Sequence, residues 1–138
     1  MRVSRRLDYT VRGLTALAMK EPAEYVAAGD LADDLGLPRR FVEQQFTLLA
    51  RAGNVDSRRG AGGGCSLARD AADITVADVV RALQRAVIDV PHVTGSAVSE
   101  MWAHSSLALE SALEKVSLAE LAERQRRIDS EAAPMYYI

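Results

Sequence analysis

The chain has 138 residues, of which 49% are hydrophobic, 26% charged and 5% aromatic, a globular profile that fits one domain or a compact unit plus an appendage. No apolar run approaches the roughly 18 residues that a membrane span needs, and a single cysteine excludes an intramolecular disulfide and any dense cysteine–metal scaffold. The net charge of −2 speaks against nucleic acid until it is divided, because residues 1–69 hold eleven Lys and Arg against eight Asp and Glu, and residues 70–138 hold six against eleven.

The start, MRVSRRLDYT, is basic but leads into no apolar signal core, so a cytoplasmic protein is expected. Residues 4–19 place Leu7, Val11, Leu14 and Ala18 on one helical stripe. A short helix follows in AAGDLADDLG, with Leu31, Ala32 and Leu35 expected inward and Gly36 as its stop. Gly36 and Leu37 make a tight turn, and Pro38 opens the third helix at its first position. Stepping that helix by about 100° per residue gathers Phe41, Val42, Phe46, Leu48, Leu49 and Ala52 on one arc. Arg40, Glu43, Gln44, Thr47 and Arg51 fall opposite, with Arg39 at the margin. Arginine, glutamate and glutamine are side chains that read base edges. Helix, tight turn and helix is the layout of a helix-turn-helix.

After Gly53 the pattern becomes NVDSRRGAGGGCSLA. A phosphate-binding loop would need G-x-x-x-x-G-K-[ST] leading into a helix, and a dinucleotide site would need G-x-G-x-x-G. The lysine is missing here, and counting from Gly60 puts Cys65 at the last glycine position. Val55 and Ser57 on one flank and Cys65 and Leu67 on the other read as two short strands. The glycines let the backbone turn, and Arg58, Arg59 and Gly60 form the tip. A strand pair after a helix-turn-helix is a wing.

The second half reads as helical. Thr75 stands three residues before Asp78, a capping-box pattern ahead of Val76, Val79, Val80 and Leu83. Residues 88–95 are a loop. From residue 96 to 116 a long helix aligns Val98, Met101, Trp102, Ser105, Ala108, Leu109, Ala112, Leu113 and Val116, with Leu107 off the stripe. The winged unit has its own core, so this stripe needs another surface. A twofold dimer is the commonest answer, and it would set two reading helices roughly 34 Å apart, one DNA turn. Ser117 and Glu120 suggest a second capping box. The ending APMYYI is apolar for a terminus.

The stretches RVSRRLDYTVRGLTALA, DLADDLGLPRRFVEQQFTLLARAGNV, SRRGAGGGCSLA, ITVADVVRAL and SLAEL, with a tryptophan in the long helix, resemble the Rrf family of bacterial winged-helix transcription regulators across nearly the whole chain. The resemblance implies a mainly α fold with a small β-hairpin wing and a long dimerisation helix. Residues 1–70 would be the winged helix-turn-helix DNA-binding region, and residues 71–138 the helical dimerisation and effector region. It further implies a homodimer on double-stranded, pseudo-palindromic DNA, with Met101, Trp102, Leu109, Leu113 and Val116 at the dimer interface. By motif position, Glu43 and Arg59 would read bases, Glu43 accepting from a cytosine amino group and Arg59 entering a narrow minor groove. Arg2, Ser4, Arg5 and Tyr9 would clamp phosphates. Pro38, Arg39, Arg40 and Gln44 on the third helix, with Arg58 and Gly60 in the wing, complete the expected DNA surface.

The chain also departs from the family. Many members carry three cysteines around the start of the long helix to hold an iron–sulfur cluster, whereas VIDVPHVTGSAVSEMW has none. Val90, Ser96 and Ser99 stand in those neighbourhoods. Asp89 and His92 are two ligands without a third, and His104 reads as a helix-surface or interface residue. No iron–sulfur cofactor, metal site or catalytic residue is therefore expected, since two distant histidines and one cysteine offer no nucleophile–base pair. Cys65 is either a small packing residue of the wing or a redox switch, its thiol acidified by Arg58 and Arg59. The signal stays open between a small molecule, a protein partner, a thiol oxidant and a cluster on unusual ligands. A redox or metal sensor, or an interaction module that kept the winged fold, remains the rival to a cluster-free repressor.

Overall fold

A computed structural model describes residues 3–84 and 86–133. Arg2 and the terminal residues 134–138 lie outside that range, so the phosphate clamp expected of Arg2 and the apolar ending are not placed.

Helix α1 (Arg5–Ala18) is capped by Ser4, whose hydroxyl accepts from the Leu7 N–H at 3.1 Å. It buries Leu7, Leu14 and Leu17. Helix α2 (Ala28–Leu35) ends in the left-handed turn of Gly36, at φ 68°. Here one expectation fails: Leu35 is 40% exposed. The chain reverses at Gly36 so that Leu37 returns to the core, its N–H bonded to the Ala32 carbonyl at 2.8 Å. The residue beyond the glycine therefore takes the apolar contact that periodicity had given to Leu35.

Helix α3 (Arg39–Arg51) follows with Pro38 as its N-cap rather than its first residue. Val42, Phe46 and Leu49 are buried, while Phe41 and Leu48 pack on the core from its edge. Ala52, expected inward, is exposed where the helix ends. Strands β1 (Val55–Arg58) and β2 (Gly64–Leu67) then form an antiparallel hairpin with Val55 opposite Leu67 and Ser57 opposite Cys65. Val26, between α1 and α2, pairs with Cys65 on the free edge of β2 through two backbone hydrogen bonds of 2.9 and 2.7 Å. This close approach explains one glycine of the run. Gly64 has φ 137°, and a Cβ there would lie 2.5 Å from the Val26 carbonyl carbon.

Helix α4 (Val76–Leu83) carries both arms of the expected capping box between Thr75 and Asp78. It buries Val76, Val79, Val80 and Leu83. Ile74, Val79, Val80, Leu83 and Leu118 belong to the same core as α1–α3, so the core runs across residues 70 and 71. Helix α5 (Ala97–Glu114) is capped by Ser96, and helix α6 (Leu118–Ala132) by Ser117, whose hydroxyl accepts from the Glu120 N–H at 3.1 Å. Helix α6 lies along α1. Among the described residues no helix is long and apolar enough to cross a membrane.

Candidate nucleic-acid interface

The sequence of α3 splits its surface in two. The inner side locks onto α1: Tyr9 meets Phe41 edge to face at 5.9 Å, and the Arg6 Nε donates to Gln45 Oε1 at 2.7 Å. Gln45 is only 7% exposed, so this bond satisfies a polar group that would otherwise be costly to bury. Sequence reasoning passed over both residues. The signal was present, because at 100° per residue Gln45 falls in the middle of the apolar arc and needs a polar partner.

The outer side keeps Arg40, Glu43, Gln44, Thr47 and Arg51 exposed, as the arc predicts. Thr47 donates to its own helix at the Glu43 carbonyl. Arg5, Arg40, Arg51 and Arg59 are exposed and make no salt bridge among the described residues. Their charge is unspent, as a polyanion-binding surface requires. The other described arginines of the N-terminal half are occupied. Arg12 pairs with Asp8 at 3.0 Å, and Arg69 reaches Asn54 Oδ1 at 2.7 Å. Arg39 forms a close ion pair with Asp33 and lies 3.9 Å from Asp30, spanning from α3 to α2 across Gly29, where a Cβ would overlap its guanidinium. Arg39 thus braces the helix-turn-helix from inside the chain.

The wing divides its two arginines in the same way. The Arg58 guanidinium does not project from the tip but lies 4.3 Å over the Tyr25 ring, while the Tyr25 hydroxyl donates to Asp56 in a short hydrogen bond. That bond to Asp56, with some burial, holds the Tyr25 phenol above its usual range. Arg59 remains exposed beside Gly60, whose φ of 90° makes the turn.

Cys65 is buried, with its sulfur 3.7 Å from the Ser57 hydroxyl. Burial pushes the thiol up, against a smaller lowering from Ser57. This is the reverse of the acidification a redox switch needs. A thiol reagent at mildly alkaline pH is therefore expected to label Cys65 at least about tenfold more slowly in the folded chain than in denaturant. Equal rates would show an accessible, reactive thiol.

The long helix is largely uncovered. Val98, Met101, Leu107 and Leu109 are exposed, Trp102 is half-buried, and the residues of α5 that are buried are Ser99 and Ser106. Leu113 packs on the chain's own core, and the Val116 carbonyl accepts from the Val76 N–H at 2.9 Å.

Residues 3–124 match the Rrf2 family, described as "Iron-dependent Transcriptional regulator". The HTH-type transcriptional regulator IscR of Escherichia coli is 29% identical over 138 aligned residues, covering 94% of this chain and 85% of the relative. Among solved structures, IscR of T. potens superposes with a TM-score of 0.76 at 30% identity, covering 91% of this chain and 88% of that one. CymR, the global cysteine regulator of B. subtilis, gives 0.76 at 27% identity, with 90% of this chain and 98% of that one covered.

Proposed function

Because the chain belongs to the Rrf2 family and is with it a DNA-binding transcriptional regulator, we propose that it acts as a homodimeric repressor that holds duplex DNA between the outer face of α3 and the wing. The observation that carries this reading is the sorting of the arginines. Arg39 and Arg58 are exposed but already partnered within the chain, whereas Arg5, Arg40, Arg51 and Arg59 make no salt bridge among the described residues. Glu43 and Gln44 stand among them on the exposed side of α3 and supply an acceptor and a bidentate amide. Ser4 accepts from the Leu7 N–H and Tyr9 packs its ring on Phe41, which leaves both hydroxyl protons to donate to phosphate.

Fluorescence anisotropy of a labelled duplex tests the reading. The logarithm of affinity should fall linearly with the logarithm of salt, losing about 0.9 in slope for each neutralised phosphate. Salt-independent binding, or none at low salt, would contradict it.

The dimer rests on α5. Met101 and Leu109 are exposed at 45% and 38%, together with Val98 and Leu107 of the same helix. Met101→Lys with Leu109→Lys should leave the fold intact and convert a dimer to a monomer in analytical ultracentrifugation. A dimer that survives both lysines would place the interface elsewhere.

The residues do not suit the thiolate-held cluster known in the family. Residues 88–100 contain no cysteine, and the sole thiol is in the wing sheet. Asp89 and His92 are exposed, and among the described residues no three His, Cys, Asp or Glu side chains converge. The regulator is accordingly read as cluster-free, with its signal entering by another route.

A further inference from the structure

The segment 86–92 and α5 flank an open cavity of about 690 Å³ whose wall includes Asp89, His92, Ser99, Trp102, Ser106 and Glu110. A helix turns about 100° per residue, so Ser99, Ala103, Ser106 and Glu110 share one face of α5, Met101, Ser105 and Ala112 point away from it, and Leu109 lies at its side next to Trp102. A second copy seated on Met101, Ser105 and Ala112 would meet the side of α5 opposite this cavity.

The wall is built by buried polar groups. Ser106 Oγ accepts from the Ile88 N–H at 3.1 Å, and Ser99 Oγ accepts from the Val93 N–H at 3.0 Å. Both serines are 7% exposed, and neither hydroxyl donates its own proton to a protein acceptor among the described residues. Two buried donors at a cavity wall call for an acceptor on whatever occupies it. Two carboxylates, Asp89 and Glu110, line the space, none of the described lining residues is Lys or Arg, and Arg81 of α4 meets Glu110 from outside the wall. Glu110 Oε1 accepts from Arg81 Nε at 2.7 Å, and a carboxylate has a second oxygen to offer. The Trp102 indole adds the best of the aromatic faces for a cation.

We propose that this cavity binds a small organic cation, an ammonium or guanidinium compound that also bears a hydrogen-bond acceptor. The cationic group sits between Trp102 and the carboxylates of Asp89 and Glu110, and the acceptor takes the protons of Ser99 and Ser106. A metal ion is the poorer fit, because no three ligating groups converge. The site also has a path to the wing. Arg81 ties Glu110 and Glu114 of α5 to Asp78 of α4 at 2.7, 2.6 and 3.2 Å. Asp78 lies 3.6 Å from Arg69, which holds Asn54 at the root of β1. An occupant that draws on Glu110 loosens that chain of contacts. This last link rests on the DNA-binding reading, whereas occupancy of the cavity does not.

Trp102 is the chain's one tryptophan, so its emission reports the cavity wall directly. The full chain would be titrated at constant ionic strength with 4-amino-1-butanol, 4-hydroxybutyrate and 1,4-butanediol, a cation, an anion and a neutral compound of one size. The expected result is a saturable emission change with the amine alone. Asp89→Asn and Glu110→Gln should each weaken it about tenfold, with thermal unfolding unchanged because Glu114 and Asp78 still hold Arg81. No saturable change with the amine, an equal response to the diol or the anion, or unaltered affinity in both variants would overturn the site. Duplex affinity measured with and without the amine separates the two levels. An emission change with unaltered duplex affinity supports the site and overturns the link through Arg81.

Discussion

Phe46→Ala should cost about 4 kcal/mol of folding stability, within the range for emptying a large aromatic from a packed core. Phe46 is 1% exposed, and its ring edge lies so near α1 that a Cβ on Gly13 would sit 3.2 Å from Cε1. The side chain therefore sets the spacing between α1 and α3, and the neighbouring helices cannot close on the void without shifting the recognition helix. Against a typical net stability of about 5–15 kcal/mol, such a loss moves the urea midpoint far to the left. A loss below about 1.5 kcal/mol would mean that the ring is not in the core described here.

Arg40→Ala combined with Gln44→Ala should do the opposite, sparing the fold and abolishing recognition. Both side chains are exposed and make no bond to another side chain in the described chain, so stability should stay within about 0.5 kcal/mol of the parent. Each base-edge contact is worth about 1–3 kcal/mol, which makes a loss of about a hundredfold or more in duplex affinity the expected outcome. Arg39→Ala is the control. Its guanidinium is committed to Asp33 and Asp30, so it should change duplex affinity less than the double variant does. Comparable losses for Arg39→Ala and the pair would overturn the division of the α3 surface into bracing and reading residues.

Periodicity made most of this fold legible, because burial follows helical and strand spacing directly. The α3 arcs, the Thr75 capping box, the two strands of the wing and the uncovered Met101 and Leu109 all came from residue spacing and type. What spacing could not carry was partnership. Arg39, Arg40, Arg58 and Arg59 look equivalent in the sequence, and only tertiary contacts show that Asp33 and Tyr25 hold two of them back. Leu35 was misplaced because a left-handed turn redirects the chain at Gly36, which a uniform 100° step does not include. Spacing marks Gln45 as a polar group on the apolar arc, but its partner Arg6 lies 39 residues away, which spacing does not name. Cys65 depended on burial, which raises the pKa of its thiol and outweighs the lowering by the Ser57 hydroxyl.

Selection from a random duplex library tests the central claim most directly. The full chain should enrich an inverted repeat whose half-sites lie about one helical turn apart, and the Arg40→Ala, Gln44→Ala variant should enrich nothing. Recovery of no common sequence by the parent chain, or of the same repeat by both proteins, would contradict a regulator that reads DNA through the outer face of α3.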